Sequence, residues 1–183
     1  MEPLLILPLL GFFILLVLFS MVLRRAGRFL AQTRDVERFR RQVGDLGHRV
    51  ELSLGEVSSR VDAVRRGSLS ADAIGDDLTA SLEAVALYAG EARALRPPIA
   101  GKPIQDEIVS ELERVARALE MVEHGRSIQT SARSGGRELE AQTSIKRGYL
   151  NVLHAREAIA RQAQVAAELT VGDPTERFQR RGT

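Results

Sequence analysis

The stretch Val36–Val64, VERFRRQVGDLGHRVELSLGEVSSRVDAV, decides the fold class. Its apolar residues Val36, Phe39, Val43, Leu46, Val50, Leu54, Val57, Val61 and Val64 follow one another at steps of 3, 4, 3, 4, 4, 3, 4 and 3 residues, a mean of 3.5. An α-helix turns every 3.6 residues, so this spacing keeps a narrow apolar seam on one face and favours left-handed winding around another helix. Gly44, Gly47 and Gly55 each cost about 1 kcal/mol of helix propensity, so burial of the seam must supply the stability of the segment. Val22, Phe29, Val36, Val43, Val50, Val57 and Val64 lie seven apart, and β-branched residues at such positions suit a two-stranded parallel assembly. The nine seam residues are therefore read as a coiled-coil interface, with packing against the chain's own later helices as the rival use. A helix over residues 24–66 would extend roughly 65 Å at 1.5 Å per residue.

Upstream of the seam the composition changes character. Between Leu4 and Leu23, 17 of 20 residues are apolar, the exceptions being Pro8, Gly11 and Ser20. About 20 apolar residues suffice to cross the hydrocarbon layer as a helix, and the summed insertion preference of the Leu, Ile, Phe and Val residues is roughly 5–10 kcal/mol. A cleaved signal peptide would have a positive leading segment, a shorter apolar run and a small-residue cleavage site. Here Met1-Glu2-Pro3 precedes the run and Arg24-Arg25 follows it. Residues 1–23 are thus expected to form a retained transmembrane anchor. Arg24, Arg25, Arg28, Arg34, Arg38, Arg40, Arg41 and Arg49 follow within 26 residues, and no Lys or Arg precedes the run. The positive-inside rule then places residues 24–183 in the cytoplasm of a single-pass protein of the cell membrane. Arg24, Arg25 and Arg28 are the expected contacts to anionic lipid headgroups. With few aromatic residues beside them, these arginines do not form the stacking platform that nucleic-acid binding uses.

Downstream of the seam, three further helices are expected. Gly67-Ser68-Leu69-Ser70 stops the seam, and Ser68 or Ser70 can cap the next helix; Arg65-Arg66-Gly67-Ser68-Leu69 also has the form of a basic-directed kinase site. One helix runs from about Ala71 to Arg96, with Ile74, Leu78, Leu82, Val85, Ala89, Ala92 and Leu95 inward and an interruption at Gly75-Asp76-Asp77. Arg96-Pro97-Pro98 ends it. The next begins after Pro103 and carries Ile104, Ile108, Leu112, Val115, Leu119 and Val122, with His124-Gly125 as one possible end. Ser127 to Gly136 reads as a turn. The last spans about Glu138 to Val171, with Ile145, Tyr149, Val152, Ile159, Ala163, Ala166 and Leu169 inward and an Ala-rich second half that admits a close neighbour. Gly172-Asp173-Pro174 ends it, leaving residues 173–183 as a basic, disordered tail. No stretch alternates apolar and polar residues, so the fold is all-α. Its layout is an anchor over residues 1–23, an Arg-rich coiled-coil-like stalk over 24–66, and a bundle of about three antiparallel helices over 67–172.

The chain carries little catalytic signal. It has no Cys and no Trp, and only 4% of its residues are aromatic, which excludes disulfides, thiolate-bound metals and thiol catalysis. Phosphate-binding glycine loops, dinucleotide fingerprints, nucleophile elbows and zinc-protease signatures are absent. His124 lies four residues after Glu120, and His154 three residues before Glu157. Both pairs flank the apolar stripes, and such pairs are ordinarily solvated surface contacts. No catalytic, cofactor-binding or metal-ligating residue is assigned, and no nucleic acid or small-molecule substrate is evident.

The expected role is that of a non-enzymatic, membrane-anchored scaffold whose partner is a second copy of the chain or another helical protein. The alternatives are a transmembrane signal relay, an extracytoplasmic cell-envelope or division coiled coil if the topology is reversed, and a metal-binding helical bundle. The layout resembles cytoplasmic parts of bacterial signalling and scaffolding proteins in arrangement alone. The ratio of 24 Arg to 2 Lys suits a bacterial genome of high GC content.

Overall fold

A computed structural model describes the backbone of residues 6–131 and 136–170, with side chains described at 12–13, 15–21 and from 32 onward within those ranges. The described residues form helices joined by short turns, without strands. Helix α1 runs Ile6–Arg65, α2 Gly75–Ala94, α3 Lys102–Thr130 and α4 Glu138–Glu168, with short 3₁₀ turns at Ala71–Ile74 and Ile99–Gly101. The chain divides into two units, Met1–Glu37 with Thr170–Thr183, and Arg38–Leu169.

In the larger unit the contacts define an up-down-up-down bundle of four helices. Arg49 on α1 bonds Glu91 on α2 and Arg60 bonds Asp77, so α2 runs back along α1. Arg93 meets Glu113 while Asp72 meets Arg126, which makes α2 and α3 antiparallel. Gly47 faces Ala163 and Gly55 faces Arg156, placing α4 antiparallel to α1. The diagonal pair is parallel: Phe39 lies against Gly101 at one end, and Val57 and Val61 line one tight gap with Leu119 and Val122 further along. Short connections and near-parallel packing of 3.5-residue stripes are the ordinary construction of such a bundle.

The expectation of a stalk separate from a three-helix body is thereby corrected. Residues 38–65 are the first helix of the bundle, and the unit boundary falls at Glu37–Arg38 instead of Arg66–Gly67. From Phe39 to Val64 the seam is 0 to 8% exposed and belongs to the same apolar core as Leu78, Val85, Ile108, Leu112, Leu119, Ile145 and Ile159. The physical reason is that a 3.5-residue step fits the core of any left-handed bundle equally well, whether the partner helices belong to another chain or to the same one.

Local chemistry explains the ends. At the end of α1, Gly67 has a φ of +74° and donates its N–H to the Val64 carbonyl, and Ser68 N–H reaches the Ala63 carbonyl. This is the paired-bond helix stop that favours a glycine in the left-handed region. The Ser68 hydroxyl also donates to the Ala63 carbonyl, so it closes α1 and does not cap the next helix; Ser70 precedes the 3₁₀ turn without a side-chain cap bond. The expected interruption near Gly75 is the passage from that turn into α2. His124-Gly125, one possible end of α3, does not end it: the helix continues to Thr130 and buries Ile128. Residues 171–183, including the whole of the expected tail over 173–183, lie outside the described residues.

Candidate functional site

Among the described residues no helix is long and apolar enough to cross a membrane. The expected anchor is described only in part: the side chains of residues 1–11, 14, 22 and 23 are not described, nor are those of Arg24, Arg25 and Arg28. The described part is nonetheless informative. Phe12, Phe13, Leu15, Leu16, Val17, Leu18, Phe19 and Met21 are each 51 to 69% exposed. Successive helical residues are turned by about 100°, so these eight cover every side of the helix, and a helix apolar all round needs an apolar medium.

The seam residues are brought together, but inside the bundle. Phe39, Val43, Leu46, Val50, Leu54, Val57, Val61 and Val64 all join the common core, while Val36 is buried in the smaller unit. Within the bundle part of α1, from Arg38 to Arg65, Leu52 is the one large apolar side chain on the outer face, 62% exposed.

Ion pairs stitch the surface of the bundle. Arg49 donates to both Asp45 and Glu91, and its guanidinium lies 5.5 Å from the centroid of the Tyr88 ring. Its hydrogen bond draws the Glu91 carboxyl below the usual carboxylate range, partly opposed by burial. Arg60 pairs with Asp77 at 2.6 Å and donates to the Ala73 carbonyl at 3.0 Å. These groups fasten α1 to α2. They are arranged as opposite charges in contact, which is a structural use of charge and provides no acid–base pair with separated roles.

The histidines stand on the surface. His48, His124 and His154 are exposed, and His124 lies 3.7 Å from Glu140 on α4. Among the described residues no group of three or more His, Asp or Glu is placed to hold a metal ion.

Three features of the interior escaped the sequence reading. Gln105, 4% exposed, donates its side-chain amide to the carbonyls of Ala92, Arg93 and Leu95, and so satisfies the open end of α2 from α3. Gly125 and Gly148 let α3 and α4 approach until backbone meets backbone. Glu111 is 2% exposed, with one carboxylate oxygen 3.0 Å from Arg114 and the other without a hydrogen-bond partner. A glutamine or glutamate in a helix carries no local signal of burial. Only the placing of Glu111 and Gly125, each seven residues from Ala118 on the line 111, 118, 125, could have suggested a second inward stripe.

No family model, no curated protein and no solved structure matches the chain.

Proposed function

We propose that the chain is a single-pass, membrane-anchored scaffold, non-enzymatic, whose four-helix bundle lies in the cytoplasm and engages a protein partner, either a second copy or another helical protein. The observation that carries the reading is the girdle of exposed apolar side chains from Phe12 to Met21. Covering each such side chain is worth about 1.5–3 kcal/mol, and no element of the described chain covers them. Lipid supplies that cover when the apolar run from Leu4 to Leu23 is taken whole. The arginines that follow the run support the cytoplasmic placement. The bundle supports a scaffold role, since its core is filled by apolar side chains and the pairs Arg49–Glu91, Arg60–Asp77 and Arg93–Glu113 tie neighbouring helices together.

The test is alkaline carbonate extraction of membranes from cells that make the full chain or the variant Leu15→Arg/Leu16→Arg. Each arginine at the centre of a span costs about 2.5–3.5 kcal/mol of insertion. The full chain is expected in the membrane pellet and the double variant largely in the supernatant. A full chain that extracts completely would overturn the anchor. Light scattering of the detergent-solubilised protein then decides the partner class: a protein mass at a multiple of 20.1 kDa supports a second copy, and a monomer leaves another protein.

A further inference from the structure

At the end of the bundle where α1 stops, a cavity of about 560 Å³ opens between the α1–α2 turn, the end of α3 and the start of α4. This is within the size range of small-molecule sites. The groove beside Arg49 is about half as large, near 290 Å³. Polar groups on the larger cavity's wall are Arg65, Arg66, Lys146, Gln129, Gln142 and Glu138. Apolar surface comes from Val64, Leu69 and Ile145.

The charges in this wall are unevenly matched. Arg65 and Arg66 share the single carboxylate of Asp62, through contacts of 2.7 and 3.0 Å. Arg65 is further fixed against Tyr149, 5.4 Å from the ring centroid. Lys146 has no ion-pair partner among the described residues, and neither Gln129 nor Gln142 has its amide bonded to another described side chain or carbonyl. The wall thus holds an uncompensated ammonium, two amides with spare donors and acceptors, and an apolar floor. Glu138 stands among them as the one acid of the wall, which disfavours a ligand carrying several negative charges.

We propose that this cavity binds a small organic monocarboxylate, its carboxylate on Lys146 and Arg66 and its hydrocarbon body on Val64, Leu69 and Ile145. The inference does not rest on the anchored-scaffold reading, since it uses the bundle alone. A fixed guanidinium pair with a free ammonium favours a carboxylate through charge-assisted hydrogen bonds. The excess of roughly one positive charge matches a monoanion and not a phosphate dianion.

The test is isothermal titration of the full chain in detergent with hexanoate, alongside Lys146→Gln, a substitution at an exposed site whose folding is checked by circular dichroism. Arg117→Gln, on an exposed part of α3 outside the cavity, serves as the control. Partition of hexanoate into detergent is common to all three proteins and subtracts out. The expected result is saturable binding in the parent and in Arg117→Gln, weakened at least tenfold in Lys146→Gln and not displaced by an equal concentration of inorganic phosphate. Equal binding by the parent and Lys146→Gln, absence of saturable binding in the parent, or displacement by phosphate would each overturn it.

Discussion

Gly148 on α4 faces the backbone of α3 so closely that a Cβ there would lie 2.6 Å from the Ala118 carbonyl oxygen and 2.6 Å from Cγ2 of Val122. Gly125 stands in the reciprocal place on α3, where a Cβ would lie 2.7 Å from the Ala141 carbonyl oxygen. Neither obstacle is the far end of a flexible side chain alone, so an added methyl must push the helices apart. Gly148→Ala and Gly125→Ala are each expected to destabilise the bundle by about 1–3 kcal/mol, although alanine is the better helix former. Gly90→Ala, at a site with nothing within 4 Å, is expected to stabilise by up to about 1 kcal/mol. Thermal unfolding of the three variants checks the contrast in sign.

The same register accounts for the buried acid. Ala118 opposes Gly148 and Gly125 opposes Ala141, and a further step of seven residues along both antiparallel helices brings Glu111 level with Ala155, which is fully buried. A small residue on α4 thus leaves room for the Glu111 side chain on α3. One of its oxygens is unpartnered, and replacing a buried charge by an apolar side chain of similar volume is often neutral or stabilising. Glu111→Met is expected to leave the unfolding midpoint unchanged or raise it, whereas Arg114→Ala, which strips the carboxylate of its ion-pair partner, lowers it. A loss in Glu111→Met larger than in Arg114→Ala would contradict the assignment.

The burial of the seam within one chain is tested by thiol labelling, which the absence of native Cys makes clean. Val50 is 0% exposed and Leu52, two residues on, is 62% exposed. In the native protein Leu52→Cys is expected to react with maleimide at nearly the rate of a free thiol, and Val50→Cys at least a hundredfold more slowly until denaturant is added. Comparable rates at the two positions would show an open seam.

How far the sequence could lead is clearest at this seam. The 3.5-residue spacing identified each of the nine inward positions, and the stripes of the later helices named Ile74, Val85, Leu112, Leu119, Val122, Ile145 and Ile159 correctly as core. Periodicity reports which face of a helix is apolar and carries no information on whose helix covers it. The close α3–α4 contact was not legible: the Ala-rich half of the last helix meets α1, where Ala163 faces Gly47, and Gly125 read as one possible helix end because glycine is weak in isolated helices. In the bundle its missing Cβ allows the contact, and packing outweighs propensity. The bundle-end cavity had no local sequence signal, since its wall is assembled from the ends of three helices.

The ion pair between Arg49 and Glu91 sets a modest acid dependence. The hydrogen bond from Arg49 is the main cause of the lowered Glu91 pKa, below an ordinary value of 4.5. With the folded value depressed, the stabilisation is fully present above the unfolded value and is lost as pH falls through the folded one. Both side chains are more than a third exposed, so the contribution is expected to stay under about 1 kcal/mol. The stability difference between the parent and Glu91→Gln should therefore be constant above pH 5.5 or thereabouts and shrink towards zero in stronger acid. A difference that grows on acidification would contradict this sign.

The claim on which the functional reading turns is that one apolar helix holds the bundle at the cytoplasmic face of a membrane. The most direct measurement is a pair of reporters fused after Thr183, one fluorescent only in the cytoplasm and one enzymatically active only outside it, each assayed in the membrane fraction. The account predicts a fluorescent, membrane-bound fusion and an inactive external reporter. An active external reporter, or a fusion that stays out of the membrane fraction, would contradict it.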